Sequence, residues 1–187
     1  VPPLVLLGHR DSIWSVACLP DGERVISGSE DGSVRAWRAQ DGRGVVEWEG
    51  HSSSVWTLGF SVDSARLVSG SRDGSVVVWS TTTGKRLVGP LTGHTGWVFC
   101  ASFSPQGDEI ASCDSRDVRI WNSHSPNRAV EDPHINIIRS ITVSPNGKFI
   151  ASGSPDHTVR LWDTTTRQQI GPVLQHDDAV HSVAISP

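Results

Sequence analysis

The chain has 187 residues, 36% hydrophobic and 19% charged, with 18 Gly, 11 Pro and a formal net charge of -4. This is an ordinary globular composition, with room for one sizeable core or two small ones, and it excludes collagen, a coiled coil and a long disordered tail. The acidic balance excludes a general attraction to nucleic acid or anionic lipid, and no apolar run approaches the ~20 residues that cross a bilayer. In chain order, residues 1–7 read as the last strand of a preceding unit (about Leu4 to Leu7), and a repeat then begins at His9. Within 8–49 an apolar set at Ile13, Val16 and Cys18 breaks strict alternation, which implies a β-bulge near the strand start. Pro20-Asp21-Gly22 turns the chain into a strand ending at Ser27-Gly28-Ser29. Asp31-Gly32 predicts a type I′ hairpin, the third strand ends at Trp37, and a short fourth strand follows Asp41-Gly42 at Val45-Val46.

The same text recurs at 50–92, with His51, the set Val55, Leu58 and Phe60, then Ser69, Asp73-Gly74, Trp79, Thr83-Gly84 and Leu87-Val88. At 93–132 it returns as His94, the set Val98, Ala101 and Phe103, the turn Pro105-Gln106-Gly107, then Ser112 and Trp121. Its segment Ser112-Cys113-Asp114-Ser115-Arg116-Asp117 is one residue short, so neither Asp114 nor Asp117 falls at the expected offset, and a shortened turn is expected there. At 133–174 come His134, after Pro133 in place of Gly, the turn Pro145-Asn146-Gly147, Ser152, Asp156, Trp162 and a fourth strand at Gln169-Ile170. Residues 175–187 open a fifth repeat at His176 with one strand, about Val180 to Ile185.

A Gly-His or its variant, some 28 residues and then a Trp, at a period of 40 to 43, resembles the WD40 repeat. Only Trp162-Asp163 keeps the full dipeptide. The resemblance implies an all-β fold: a WD40-like β-propeller arc of four-stranded antiparallel blades, about four full blades with partial blades at both ends, in one domain. It also implies that His, Ser, Asp and Trp form a buried hydrogen-bonded tetrad in each blade. The sets are His9, Ser27, Asp31 and Trp37; His51, Ser69, Asp73 and Trp79; His94, Ser112 and Trp121 with no Asp assigned; and His134, Ser152, Asp156 and Trp162. Ser, His and Asp also make nucleophilic triads, but a catalytic triad is needed once and this set recurs. No His pair has zinc-helix spacing or a Cys partner motif, so no metal and no cofactor are expected, and His124, His157 and His181 read as solvated.

Five residues beyond each repeat His stand Trp14, Trp56, Phe99, Arg139 and His181, out of phase with the inward set. By the same resemblance, Trp14, Trp56, Phe99 and Arg139, together with Trp97 and with Glu30, Arg72 and Pro155 before the turn Asp, lie on the face that contacts partners. Packing of these rings between blades is the alternative. The expected function is a non-catalytic scaffold or recognition platform for other proteins or peptides, with no nucleic acid or membrane partner. A sensor or substrate-recruiting propeller in a NACHT-type nucleotide-binding protein or another enzyme is the alternative, suggested by a resemblance to fungal WD arrays; no GxxxxGK[ST] segment occurs here. Three cysteines without a CxxC pair suit a reducing compartment, and an intracellular, cytoplasmic setting is expected. The absence of methionine, even at position 1, predicts a fragment whose blades need the rest of a parent chain and otherwise self-associate.

Overall fold

The computed structural model describes residues 4–19, 21–123, 129–130, 134 and 136–186, with 129–130 described as backbone alone. Among these residues there is no helix, and every regular element is a strand. The strands form four antiparallel sheets of four, each in sequence order. The first sheet is β1 (Ile13–Cys18), β2 (Arg24–Ser29), β3 (Ser33–Arg38) and β4 (Gly44–Glu49). The second is β5 (Val55–Phe60), β6 (Arg66–Ser71), β7 (Ser75–Ser80) and β8 (Arg86–Thr92). The third is β9 (Cys100–Phe103), β10 (Glu109–Cys113), β11 (Val118–Asn122) and β12 (Ala129–Val130); the fourth is β13 (Ser140–Val143), β14 (Phe149–Ser154), β15 (Thr158–Asp163) and β16 (Leu174–Gln175).

Each blade is a meander because its turns are too short for anything but antiparallel return. Consecutive blades meet mainly along their first strands, β1 on β5, β5 on β9 and β9 on β13, so the sheets fan from a common side. The core is divided accordingly into three interblade layers. Leu19, Ile26, Val34, Trp48, Val55, Leu67 and Val77 fill the first. Val68, Val76, Val98, Phe103 and Ile110 are central to the second, and Ala111, Cys113, Ile138, Ile141 and Ile150 to the third. Close approach is set by glycine: a Cβ on Gly28 would stand 2.7 Å from Val55 Cγ1, and one on Gly70 would stand 2.5 Å from Val98 Cγ1.

The bulge sits where Trp14 and Trp56 interrupt the ladder: Ile13 pairs with Ser29 and Ser15 with Gly28, as Val55 pairs with Ser71 and Thr57 with Gly70. Three expectations need correction. The hairpins at Asp31-Gly32 and Asp73-Gly74 are not type I′, because only Gly32 (φ 80°) and Gly74 (φ 79°) have positive φ. Their N–H groups donate to Ser29 and Ser71 O, so the turn ends on a left-handed residue and each Asp stays free to face inward. Secondly, residues 4–7 and 180–185 carry no strand, and the last blade's fourth strand is Leu174–Gln175 and not Gln169-Ile170, where Gln169 makes only an isolated bridge to Trp162. A strand exists through its ladder, and the described residues supply no middle strands beside the two terminal segments. Val180 nevertheless donates its N–H to Ser154 O and seats its side chain against Gly153, as Val98 does with Ser71 O and Gly70. Thirdly, the set Ile13, Val16 and Cys18 is exposed, Val16 by 59%, because β5 packs on only one side of β1 and no described blade covers the other. Pro20, His124 and Pro133, named above for turns, a solvated His and a repeat start, lie outside the described residues, as do Val1 to Pro3.

Candidate functional site

Two constellations recur from blade to blade: a buried polar network and an exposed aromatic row. In the first blade Trp37 Nε1 donates to Ser27 Oγ at 2.8 Å, and Ser27 Oγ lies 2.7 Å from His9 Nε2. His9 Nδ1 is 3.0 Å from Asp31 Oδ2. The direction of the bonds follows from chemistry. A carboxylate only accepts, so Nδ1 carries the proton, Nε2 accepts from the serine hydroxyl, and the serine oxygen accepts from the indole. The second blade repeats this with His51, Ser69, Asp73 and Trp79, and the fourth with His134, Ser152, Asp156 and Trp162. The histidine side chains are at most 3% exposed. They are therefore shut off from any substrate, and their chemistry is spent on one another.

A fifth member was not named from the sequence. Two residues after the Asp, Ser33 and Ser75 Oγ and Thr158 Oγ1 each donate to Oδ1 of that Asp, at 2.6, 2.6 and 2.5 Å. They also lie 3.1–3.2 Å from the His Nδ1. The signal was present in the recurring Asp-Gly-Ser, Asp-Gly-Ser and Asp-His-Thr. The third blade solves the deletion differently. Asp114 is fully buried and takes backbone N–H bonds from Thr95, Gly96, Arg116 and Asp117. Its Oδ2 is 3.3 Å from His94 Nδ1, which lies outside hydrogen-bond geometry and has no other acceptor. His94 Nε2, Ser112 and Trp121 keep the rest of the chain of bonds. His176 is exposed and joins no fifth network among the described residues.

These bonds set the charges. Burial by itself would raise the carboxyl of Asp31, but donation from the Ser33 hydroxyl, the Arg10 and Ser33 N–H groups and His9 outweighs it and holds Asp31 well below the usual range. Asp73, buried likewise, is held down chiefly by His51 and Ser75, and Asp114 by His94 and the N–H groups of Asp117 and Arg116. Asp156 is lowered by Thr158 and His134 against the same burial. Burial pushes His134 down from 6.5, more than Asp156 raises it.

The second constellation stands on the bulges. Trp14 and Trp56 stack with ring centroids 4.3 Å apart, and Trp56 in turn stacks with Trp97 at 6.0 Å. Phe99 completes the row, 6.0 Å from Trp56 and 6.2 Å from Trp97. Three blades thus contribute to one shelf: the bulges of β1 and β5 turn Trp14 and Trp56 out of the ladder, and Trp97 and Phe99 come from the segment just before β9. Trp14 is 46% and Trp97 40% exposed, while Trp56 and Phe99 are half-buried between them. The Trp56 N–H is buried without an acceptor. The exposed Arg72 lays its guanidinium 4.2 Å from the Trp97 ring centroid. Arg139 is exposed, Glu30 and Pro155 are half-buried, and none of the three makes a ring contact among the described residues. An open hollow of about 270 Å³ lies between Gly96, Trp97, Phe99, Ser115 and Ile137. No group of three His, Cys, Asp or Glu able to hold a metal occurs among the described residues, and the three cysteines are unpaired.

A family model described as "WD domain, G-beta repeat" matches four times, at residues 1–38, 42–80, 85–122 and 128–163. Among curated proteins the chain is similar to "Small ribosomal subunit protein RACK1y" of Oryza sativa subsp. japonica, 42% identical over 97% of this chain and 56% of that protein. It is also similar to "Small ribosomal subunit protein RACK1" of Drosophila melanogaster, 40% identical over 100% of this chain and 59% of the relative. A Neurospora crassa protein of the same name is 32% identical over 51% of this chain and 31% of its own length. The chain spans somewhat over half the length of the first two of these relatives.

Proposed function

The chain belongs to the WD40-repeat family, and on that premise we propose that it is a non-catalytic binding platform whose partner-facing surface is the shelf of Trp14, Trp56, Trp97 and Phe99. One observation carries the reading: four large rings from three blades meet on the surface, stacked or edge to face, and two of them stay 40–46% exposed. Exposed aromatics cost solvation and are enriched where binding energy concentrates. The tetrads support the same reading from the inside. They tie each Asp-bearing turn to the strand carrying the Trp, so the bulges are held on a rigid frame and a partner meets a surface already ordered. The names of the relatives refer to the small ribosomal subunit. Carried over to this chain, that makes a protein of a ribosome-associated, cytoplasmic assembly the first partner to seek, and it supports the scaffold over a nucleotide-binding sensor.

The test is a pull-down from the source cell extract with the intact chain and its Trp14→Ala, Trp97→Ala variant, small ribosomal subunits being probed separately by co-sedimentation. Unchanged partner recovery by a variant with an unchanged far-ultraviolet circular dichroism spectrum would remove the shelf as contact surface. Recovery reduced by about tenfold or more, the scale of a hot spot, is the expected result.

A further inference from the structure

We propose that the shelf selects an acidic peptide segment with one large apolar anchor, the anchor entering the hollow beside Trp97 and the carboxylates meeting Arg72, Arg116 and Arg139. This rests on the reading of the shelf as a contact surface and adds the chemistry of what it takes. The hollow is lined by Gly96, Trp97, Phe99, Ser115 and Ile137, and at about 270 Å³ it falls just below the range of drug-sized pockets. It is suited to a single side chain. Three arginines stand next to its lining residues, in contact or in the chain. Arg72 lies against the Trp97 ring, Arg116 follows the lining residue Ser115, and Arg139 stands two residues beyond Ile137 at the place that Trp14, Trp56 and Phe99 hold in their blades.

All three arginines are exposed, and none makes an ion pair among the described residues, a state they share with Arg10 and Arg86, whereas Arg24, Arg35, Arg38, Arg43 and Arg119 all make one. The carboxylates near Arg72 and Arg116 in the chain are committed elsewhere. Asp73 is bound by His51 and Ser75, Asp114 by four backbone N–H groups, and Asp117 by Arg119. In a chain of net charge -4, three uncommitted cations around one apolar hollow are a local exception. The stacking of Arg72 on an indole also fixes the plane of its guanidinium, so its N–H fork is oriented before a carboxylate arrives. Glu30, on the first blade, marks the opposite end of the shelf and would repel an acidic segment running past Trp14, which sets its direction.

Three fluorescein-labelled twelve-residue peptides serve as probes in anisotropy titrations of the intact chain: glutamates around a central Phe, lysines around the same Phe, and glutamates around a central Ala. The glutamate-Phe probe is expected to bind at least about tenfold tighter than either of the others, to weaken as salt rises, and to lose about tenfold on Arg72→Glu, Arg139→Glu substitution. Equal binding of the lysine-Phe and glutamate-Phe probes, both abolished by Trp97→Ala, overturns the acidic selection and leaves the shelf as contact surface. Binding indifferent to Trp97→Ala overturns both. No binding of the glutamate-Phe probe up to about 1 mM overturns the proposal. If the arginine variants fail to fold, the ranking of the three probes on the unsubstituted chain and its salt dependence decide the matter.

Discussion

At the scale of single residues, the tetrad histidine is a relay whose proton position is dictated by its neighbours. The carboxylate claims the Nδ1 proton, which leaves Nε2 to accept from serine and serine to accept from the indole. Each bond is worth about 1 kcal/mol net, but losing one partner strands a buried donor or acceptor at about 1–3 kcal/mol. The dependence on acid follows. His134 is lowered in the fold, so the unfolded chain takes up that proton first as pH drops past 6.5, and stability begins to fall there. Asp31, Asp73, Asp114 and Asp156 are lowered too, from 3.8, so their contribution is present above that value and is lost progressively below it, as pH falls toward the lowered native values. Thermal midpoints measured from pH 8 to 3 should be level above pH 7, decline below 6.5 and fall steeply below 4. A midpoint unchanged from pH 7 to 5 would show that the His134 site tolerates the charged ring.

At the scale of elements, three turns carry a strain that their counterparts avoid. Ser64, His157 and Arg167 have φ of 57°, 69° and 63°, each donating the same backbone hydrogen bond as a glycine in another repeat. Ser64 stands for Gly22, Gly107 and Gly147; His157 for Gly32 and Gly74; Arg167 for Gly42 and Gly84. A left-handed non-glycine residue costs about 1–2 kcal/mol, and glycine's freedom in the unfolded chain returns about half of that. Ser64→Gly, His157→Gly and Arg167→Gly should therefore each stabilise by about 0.5 kcal/mol, and the triple variant should melt several degrees higher in calorimetry. A lower melting point would mean that these side chains do work that the backbone conformation hides. The bulge was legible because apolar spacing of three then two has no other simple account in a strand. The turn type was not: Asp-Gly suits type I′, and only the pull of the buried His on the Asp side chain decides for the alternative with a single left-handed residue.

At the scale of the whole molecule, the arc has two faces that no blade covers. Ile13 and Val16 are exposed on one side, 48% and 59%, and Val173 and Leu174 are exposed on the last blade. The seat of Val180 on Gly153 shows how the chain covers such a face when residues are at hand. The 187-residue arc by itself should therefore self-associate, and light scattering at tens of micromolar, on the order usual for such assays, should report species larger than one chain. A stable monomer would show that the uncovered faces are tolerated in water. What the sequence determined by itself was the repeat, the strand-and-turn grammar and the blade architecture, because local periodicity and turn chemistry are written in neighbouring residues. Tertiary structure decided that Asp114 serves a shortened turn, that Ser33, Ser75 and Thr158 join the polar network, and that rings from three blades form one shelf. Those outcomes depend on residues brought together through the turns and from neighbouring blades, and a distance in space between blades has no signature in the order of the chain.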